Sequence, residues 1–387
     1  MSRVLDVSAL GAVAGAIQRR IDDGTSPGAC ACVWYRDQKV YETCLGIADP
    51  AGTPLRADHI FHLASMTKAI TAAAVLQQME LGRVHLDDPI GKFIPELAKL
   101  NVAELDAEGK IVGTHPASRP VTVLDCLTHT SGIGSRAITG ELFSAVRMRE
   151  GERLSDFVPR YASMPLAFEP GSQTDYSPVA APDVAACIVE KVSGEEYSAY
   201  LSRHLFGPLG MVDTCYDLPN EKRPRLVDAF GSRDGKLVPS HISRAEIFSD
   251  LTYLVSGGGG LHSTLGDYSR FVRMLSRFGE LDNVRVLKPE SVRLMTTPRQ
   301  PLTLKNMSPG YIWGLLVRIA TEDPNRPTSL APGAVSWSGA WGTHFIMDRE
   351  LDMFGVFMTN STYCGGAGSQ TDRDFENAIM SCVREKA

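Results

Sequence analysis

The 387-residue sequence predicts an α+β fold: one antiparallel sheet flanked by helices, with a mostly helical sub-domain inserted in its middle. Three observations carry that expectation. Strand-like runs stand near the start, at Ala29 to Tyr35 and Lys39 to Leu45, joined by the polar turn Arg36-Asp37-Gln38. A second set fills the last quarter, at Tyr311 to Ile319, Ala334 to Trp337, Thr343 to Met347 and Met353 to Met358. Between them, from about Gly82 to Pro289, the reading is mostly helical, with long connections punctuated by Pro and Gly. Strands at both ends with helices between favour a single sheet assembled from both termini. The expected division is residues 1–81 with 290–387 for the sheet domain and 82–289 for the helical one. The cleft between them is the default ligand site.

In chain order, Leu10, Val13, Ile17 and Ile21 recur at helical spacing and open the chain with an amphipathic helix. After the first two strands, Ile60 to Ala64 reads as a short apolar strand and Ala69 to Gln78 as an Ala-rich helix. Helices are expected over Val121 to Leu127, Pro182 to Val192, Glu195 to Leu205 and Leu265 to Ser276, and a last one over Asp372 to Arg384. No repeat or low-complexity segment interrupts this order.

Composition excludes several function classes. A content of 43% hydrophobic and 22% charged residues is that of a soluble globular protein. The net charge of −6, without a basic run, argues against nucleic acid or anionic membrane partners. No apolar stretch approaches the ~20 residues that span a bilayer, and Met1 to Leu10 carries no apolar signal core, so a cytoplasmic location is expected. Eight cysteines lie scattered without C-x-x-C; Cys30 and Cys32 would share a strand face, and buried free thiols are the expectation. No H-x-x-x-H or Cys/His cluster supports a metal, and no cofactor is implied.

The chemistry concentrates at Ser65-Met66-Thr67-Lys68. The pattern sets a hydroxyl and an amine one helical turn apart, with Ser65 at the N-cap or first turn, where backbone N–H groups are free. An ordinary helix start would place Glu or Gln three residues on. Lys68 is a cation at the positive end of the dipole, and local misfits of this kind tend to mark function. If Lys68 is desolvated, its pKa falls and a neutral amine can take the Ser65 proton. A rival nucleophile, Ser26 in Gly24-Thr25-Ser26-Pro27-Gly28, fails: it joins helix to strand, and Pro27 has no N–H for an oxyanion. Tyr176, in Asp175-Tyr176-Ser177, could relay protons if it lies beside an ammonium. In Ser336-Trp337-Ser338-Gly339-Ala340, Gly339 would allow close backbone approach of a ligand and Trp337 an apolar wall. His62 and His129 read as structural, and Gly257-Gly258-Gly259-Gly260 as a turn near the cleft.

In this order the three pieces resemble the serine β-lactamase and penicillin-binding-protein superfamily, and within it the esterases related to class C β-lactamases (family VIII carboxylesterases). His62-Leu63-Ala64-Ser65-Met66-Thr67-Lys68, Leu127-Thr128-His129-Thr130-Ser131-Gly132 and Trp337-Ser338-Gly339 followed by Thr343-His344-Phe345 carry the likeness, which spans nearly the whole chain. The resemblance implies the β-lactamase/transpeptidase-like fold and a serine hydrolase. Ser65 would be the acylated nucleophile, Lys68 the base or its electrostatic partner, and Tyr176 the completion of the relay. The N–H groups of Ser65 and Ala340 would form the oxyanion hole, and Trp337, Ser338 and Gly339 would bind substrate. Two departures stand out. Pro178 replaces the Asn of Tyr-x-Asn, and Trp337 replaces the Lys of Lys-Thr-Gly, so no cation is evident to hold a substrate carboxylate.

These readings predict a serine carboxylesterase acting on a small neutral ester through a Ser65 acyl-enzyme. The alternatives are an acyltransferase using the same intermediate, a β-lactamase or D-peptidase disfavoured by Pro178 and Trp337, and a non-catalytic ligand-binding homologue. Oligomeric state, acyl length and stereoselectivity are not encoded in any pattern found.

Overall fold

The computed structural model describes residues 3–135, 146, 148–149, 151–234, 236–240 and 255–385. Seven strands form its main sheet, in the order Tyr311–Trp313, Arg318–Ala320, Val335–Ser338, His344–Asp348, Met353–Met358, Gly28–Tyr35, Gln38–Gly46, every neighbouring pair antiparallel. The two ends of the chain meet where Met353–Met358 pairs with Gly28–Tyr35, Phe357 opposite Ala31. Both faces of these inner strands are covered, which is why they read as apolar runs rather than alternating ones. The helices Gly11–Asp22 and Gln370–Met380 cover one face, packing Val13, Ile17, Phe375 and Ile379 on Ala31, Ile346 and Phe357. Against the other face lie Thr67–Glu80 and Leu265–Ser276, with Ile70, Tyr268 and Phe271 on Cys32, Phe345 and Val356. Thr67–Glu80 is buried almost all round because Ala180–Ser193 packs on its far side.

Several elements depart from expectation. Tyr311 to Ile319 is a hairpin rather than one strand: the chain turns at Leu316 (φ +54°), and Gly314 runs so close to Met295 that a Cβ would lie 2.2 Å from its carbonyl. An apolar run reads alike whether it continues or folds back. Glu195 to Leu205 divides into an α-helix, Tyr197–Leu201, and a wider π-turn, Ser202–Phe206. The last helix stops at Met380, and Val383–Glu385 pairs with Arg3–Leu5. The 82–289 stretch holds the expected helices and also the hairpins Asn101–Leu105 with Ile111–Pro116 and Phe230–Arg233 with Lys236–Pro239. Cys30 lies across from Cys44, Cα atoms 4.1 Å apart, and a disulfide joins them; the cross-strand register, unknown from sequence, decides this pairing. The other six cysteines are free, as expected. Among the described residues, no helix is long and apolar enough to cross a membrane.

Candidate active site

The strand Ile60–His62 pairs with His262–Thr264 and delivers the chain to the cleft. Ala64 then takes a left-handed backbone (φ +46°), uncommon for a residue with a Cβ, and starts the tight turn Ala64–Met66 that feeds Thr67–Glu80. Ser65 therefore sits in a turn ahead of the helix and lines the cleft cavity.

Lys68, one turn on, is completely buried. Its amine donates to Ser65 Oγ at 3.1 Å and to the carbonyls of Pro178 at 2.5 Å and Gly258 at 2.7 Å. The Tyr176 hydroxyl donates to the same Ser65 Oγ at 2.8 Å, and Lys68 Nζ lies 5.0 Å from the Tyr176 ring centre. Residues 111 apart in sequence thus meet on one oxygen. Pro178 cannot offer an amide side chain, yet its carbonyl holds the amine, a role sequence reasoning did not foresee. Gly258 is bound to be glycine, since a Cβ would lie 2.6 Å from the Pro178 carbonyl. The Gly-rich turn is thereby part of the site.

Asp183 pins that turn and was also missed. Fully enclosed, it accepts from Ser256 Oγ (2.6 Å), the Gly257 N–H (2.8 Å) and the Tyr161 hydroxyl (3.1 Å). Burial pushes its carboxyl up to about 6, against the pull of those donors and of Lys68. His129, read from sequence as structural, lies behind Tyr176. Its Nδ1 accepts from the Ser177 N–H at 3.2 Å, and its ring lies 4.7 Å from Tyr176 and 4.3 Å from Trp313. Its carbonyl takes the Asp175 N–H, so the Leu127 to Gly132 segment aims Tyr176. His62 packs against the His262 ring at 4.7 Å.

The sheet supplies the opposite wall. Trp337, 4% exposed, contacts Tyr176 at 5.4 Å and Trp313 at 4.7 Å, and the three rings bound a cavity of about 500 Å³ together with Ser65, Tyr311 and Ala340. Trp313 was not foreseen, because its apolar run gave no hint of the cleft. Gly339 does permit a close approach, but of protein: a Cβ there would lie 2.2 Å from Thr343 Oγ1 and 2.3 Å from the Leu63 carbonyl. Thr343 Oγ1 donates to that carbonyl at 2.9 Å, tying the turn around Ala340 to the residue two before Ser65. The Ala340 N–H makes no hydrogen bond among the described residues. Ser338 lines the cavity, but its hydroxyl is held by Asp372 at 2.7 Å and His344 at 2.8 Å. Arg318 also lines the cavity, a cation the sequence had not suggested, with Glu376 3.6 Å from its guanidinium. Among the described residues, no group of His, Cys, Asp and Glu could hold a metal ion.

Known proteins share this architecture. Protein Rv1367c of Mycobacterium tuberculosis is 33% identical over 361 residues, 88% of each chain. Esterase EstB of Burkholderia gladioli is 29% identical over 89% of this chain and 88% of its own. The solved structure of EstCE1, described as a hydrolase with promiscuous acyltransferase activity, superposes with a TM-score of 0.82 over 96% of this chain and 99% of its own, at 22% identity. The Beta-lactamase family profile matches residues 13–377, nearly the full length. With that match, and with the antiparallel sheet and flanking helices already described, the chain belongs to the beta-lactamase family.

Proposed function

We propose that the protein is a serine carboxylesterase for small neutral esters, working through an acyl-enzyme on Ser65. One observation carries the reading: Ser65 Oγ lies within hydrogen-bond reach of both Lys68 Nζ and Tyr176 OH. In the reactive state the Lys68 amine is neutral, and its two hydrogens go to the Pro178 and Gly258 carbonyls. Its lone pair faces Ser65 Oγ and takes the hydroxyl proton as Oγ attacks the ester carbonyl, with the Tyr176 hydroxyl passing that proton on. Ser65 and Ala340 both line the cavity, and their N–H groups would hold the developing oxyanion; such donors act strongly because they need no reorganisation. Collapse of the tetrahedral intermediate breaks the ester C–O bond, and the alcohol leaves with a proton delivered through Tyr176. Water then attacks the acyl-enzyme, gives its proton to the same relay, and releases the acid. The three aromatic walls suit an apolar substrate, and the charge of Arg318 is already met by Glu376. Esterase EstB supports the reaction class by its likeness. The activity described for EstCE1 favours a second reading, in which a bound alcohol replaces water at deacylation.

Fluorophosphonate treatment followed by intact mass and peptide mapping tests the proposal. The expected result is one adduct, on Ser65. Folded protein without an adduct, or with one elsewhere, removes Ser65 from the mechanism.

A further inference from the structure

Behind the Val335–Ser338 strand, on the face covered by Gln370–Met380, lies a buried cluster of charge, of which only Arg318 also reaches the cavity. Arg318, His344, Asp372 and Glu376 are each at most 7% exposed. Burying four ionisable groups where apolar residues would pack is costly. Nothing in the acyl-transfer steps uses His344, Asp372 or Glu376.

With both carboxylates ionised, the hydrogen bonds set how many protons the cluster holds. The Ser338 hydroxyl donates its one proton to Asp372 Oδ2 at 2.7 Å. His344 Nδ1, 2.8 Å from the same hydroxyl oxygen, must then donate to it. His344 Nε2 lies 3.0 Å from Glu376 Oε1, a carboxylate oxygen, and must donate there as well. With Asp372 and Glu376 ionised, as the raised His344 value favours, both ring nitrogens carry hydrogen and the cluster contains an imidazolium. Two cations, Arg318 and His344, face two anions, Asp372 and Glu376. The Arg318 guanidinium also lies over the Tyr311 ring, 3.6 Å from its centre. From Met353–Met358, the strand on the other side of His344, the residue opposite it is Phe357, which does not titrate.

What the cluster grips is the turn that carries Ala340. Ser338 enters that turn and His344 leaves it; the two are register partners at the ends of neighbouring strands. Between them, Gly339 N–H bonds the Thr343 carbonyl at 2.7 Å, and Gly366 N–H bonds the Gly339 carbonyl at 3.1 Å. Ser338 and His344 thus anchor the two ends of the turn that carries Ala340.

We propose that this buried cluster is a positioning device for the oxyanion-binding turn, with His344 as the positioning residue whose charge balances the two carboxylates. The inference rests on the esterase reading, since it assigns the Ala340 N–H its task. Burial alone would lower the His344 value, but Asp372 and Glu376 reverse this and raise it; burial likewise raises Asp372. A group raised in the folded state stabilises below its unfolded value and loses that contribution as pH rises through the folded one. The turn should therefore loosen on the alkaline side.

The test compares wild type, His344→Gln, and the double variant His344→Gln with Glu376→Gln. Each is assayed for kcat and KM on p-nitrophenyl butyrate and for Tm across pH. The single variant leaves two carboxylates against one cation. It should lose ~10- to 100-fold in kcat, less than outright removal of an oxyanion donor costs, with KM little changed. The alkaline fall in Tm should disappear. The double variant restores one cation to one anion and should recover most of kcat. If the single variant does not fold, a folded and active double variant supports the proposal and an unfolded one counts against it. Wild-type kcat in the single variant, or no recovery in the double one, overturns the positioning role alone. A wild type that turns over no ester overturns the esterase reading and this inference with it.

Discussion

The two walls of the cleft hold their reactive groups by different means. On the helix side, Ser65 and Lys68 are one turn apart, and the amine is steadied by two backbone carbonyls, those of Pro178 and Gly258. Backbone acceptors come with the fold and survive most side-chain changes. On the sheet side, the turn around Ala340 is steadied by side chains: Thr343 on the Leu63 carbonyl, and Ser338 and His344 in a buried charge cluster. The contrast suggests that the first wall contributes the chemistry and the second the alignment. Substitutions should therefore differ in kind, the first abolishing the reaction and the second detuning it.

The strongest way to break that contrast lies on the helix side. Ser65→Ala should abolish turnover of p-nitrophenyl butyrate, a fall on the order of 10⁴- to 10⁶-fold, as removal of a serine nucleophile does elsewhere. Lys68→Met should follow at roughly 10³-fold, within the range of positioned acid–base groups. A Lys68→Met enzyme within tenfold of wild type would leave Tyr176 alone to move the proton and would dissolve the distinction between walls.

On the sheet side, Thr343→Val keeps shape and burial but removes the only hydroxyl seen to tie Leu63 to the Ala340 turn among the described residues. The Leu63 carbonyl keeps the Met66 N–H as a donor at 3.1 Å, so loss of the hydroxyl contact alone should cost about 1 kcal/mol of stability. A comparable loss of transition-state alignment corresponds to about tenfold in kcat, with KM nearly unchanged. Collapse of activity to the Ser65→Ala level would show that Thr343 does more than align.

The same contrast explains what was legible beforehand. Ser65 and Lys68 announce themselves because the helical period places them together within four residues. Tyr176 was visible only as a polar tyrosine after a Pro-Gly turn, and resemblance to a family supplied its role. The sheet was legible at both ends because its inner strands are apolar on both faces; the fold at Gly314 was not, since only the folded chain brings Gly314 too close to the Met295 carbonyl for a Cβ. Asp183, Arg318, His344 and Glu376 were invisible as a class. A carboxylate or an arginine in a sequence reads as surface, and only long-range packing shows it buried beside an opposite charge. Ser338 was foreseen at the cleft, but its engagement with Asp372 depends on a helix 34 residues away.

The smallest expected effect probes the support behind Tyr176. Asp125 caps the helix Val123–Leu127, accepting from the Thr122 N–H at 2.8 Å and hydroxyl at 2.7 Å, from Arg119 at 2.7 and 2.8 Å, and from Thr130 at 3.0 Å. It thereby holds the segment whose His129 steadies Tyr176. Burial pushes the Asp125 carboxyl up, but Arg119 and Thr122 outweigh it and hold it below the usual range. A lowered carboxyl stabilises above its unfolded value of about 3.9 and loses that contribution as pH falls through the folded one. Asp125→Asn keeps the shape and removes the charge, so it should cost about 2 kcal/mol at neutral pH, the scale of hydrogen bonds to a charged group. The gap from wild type should begin to narrow as pH falls below the unfolded value of about 3.9, where the unfolded carboxylate takes up its proton, and should close as pH falls through the lowered folded value. Denaturant unfolding at pH 7 and pH 3.5 reads both values, and kcat at pH 7 should stay within about threefold of wild type, because Tyr176 is two contacts removed. A large loss of kcat with stability intact would instead couple this outlying cap directly to the relay, placing the Leu127 to Gly132 segment among the groups that tune the reaction.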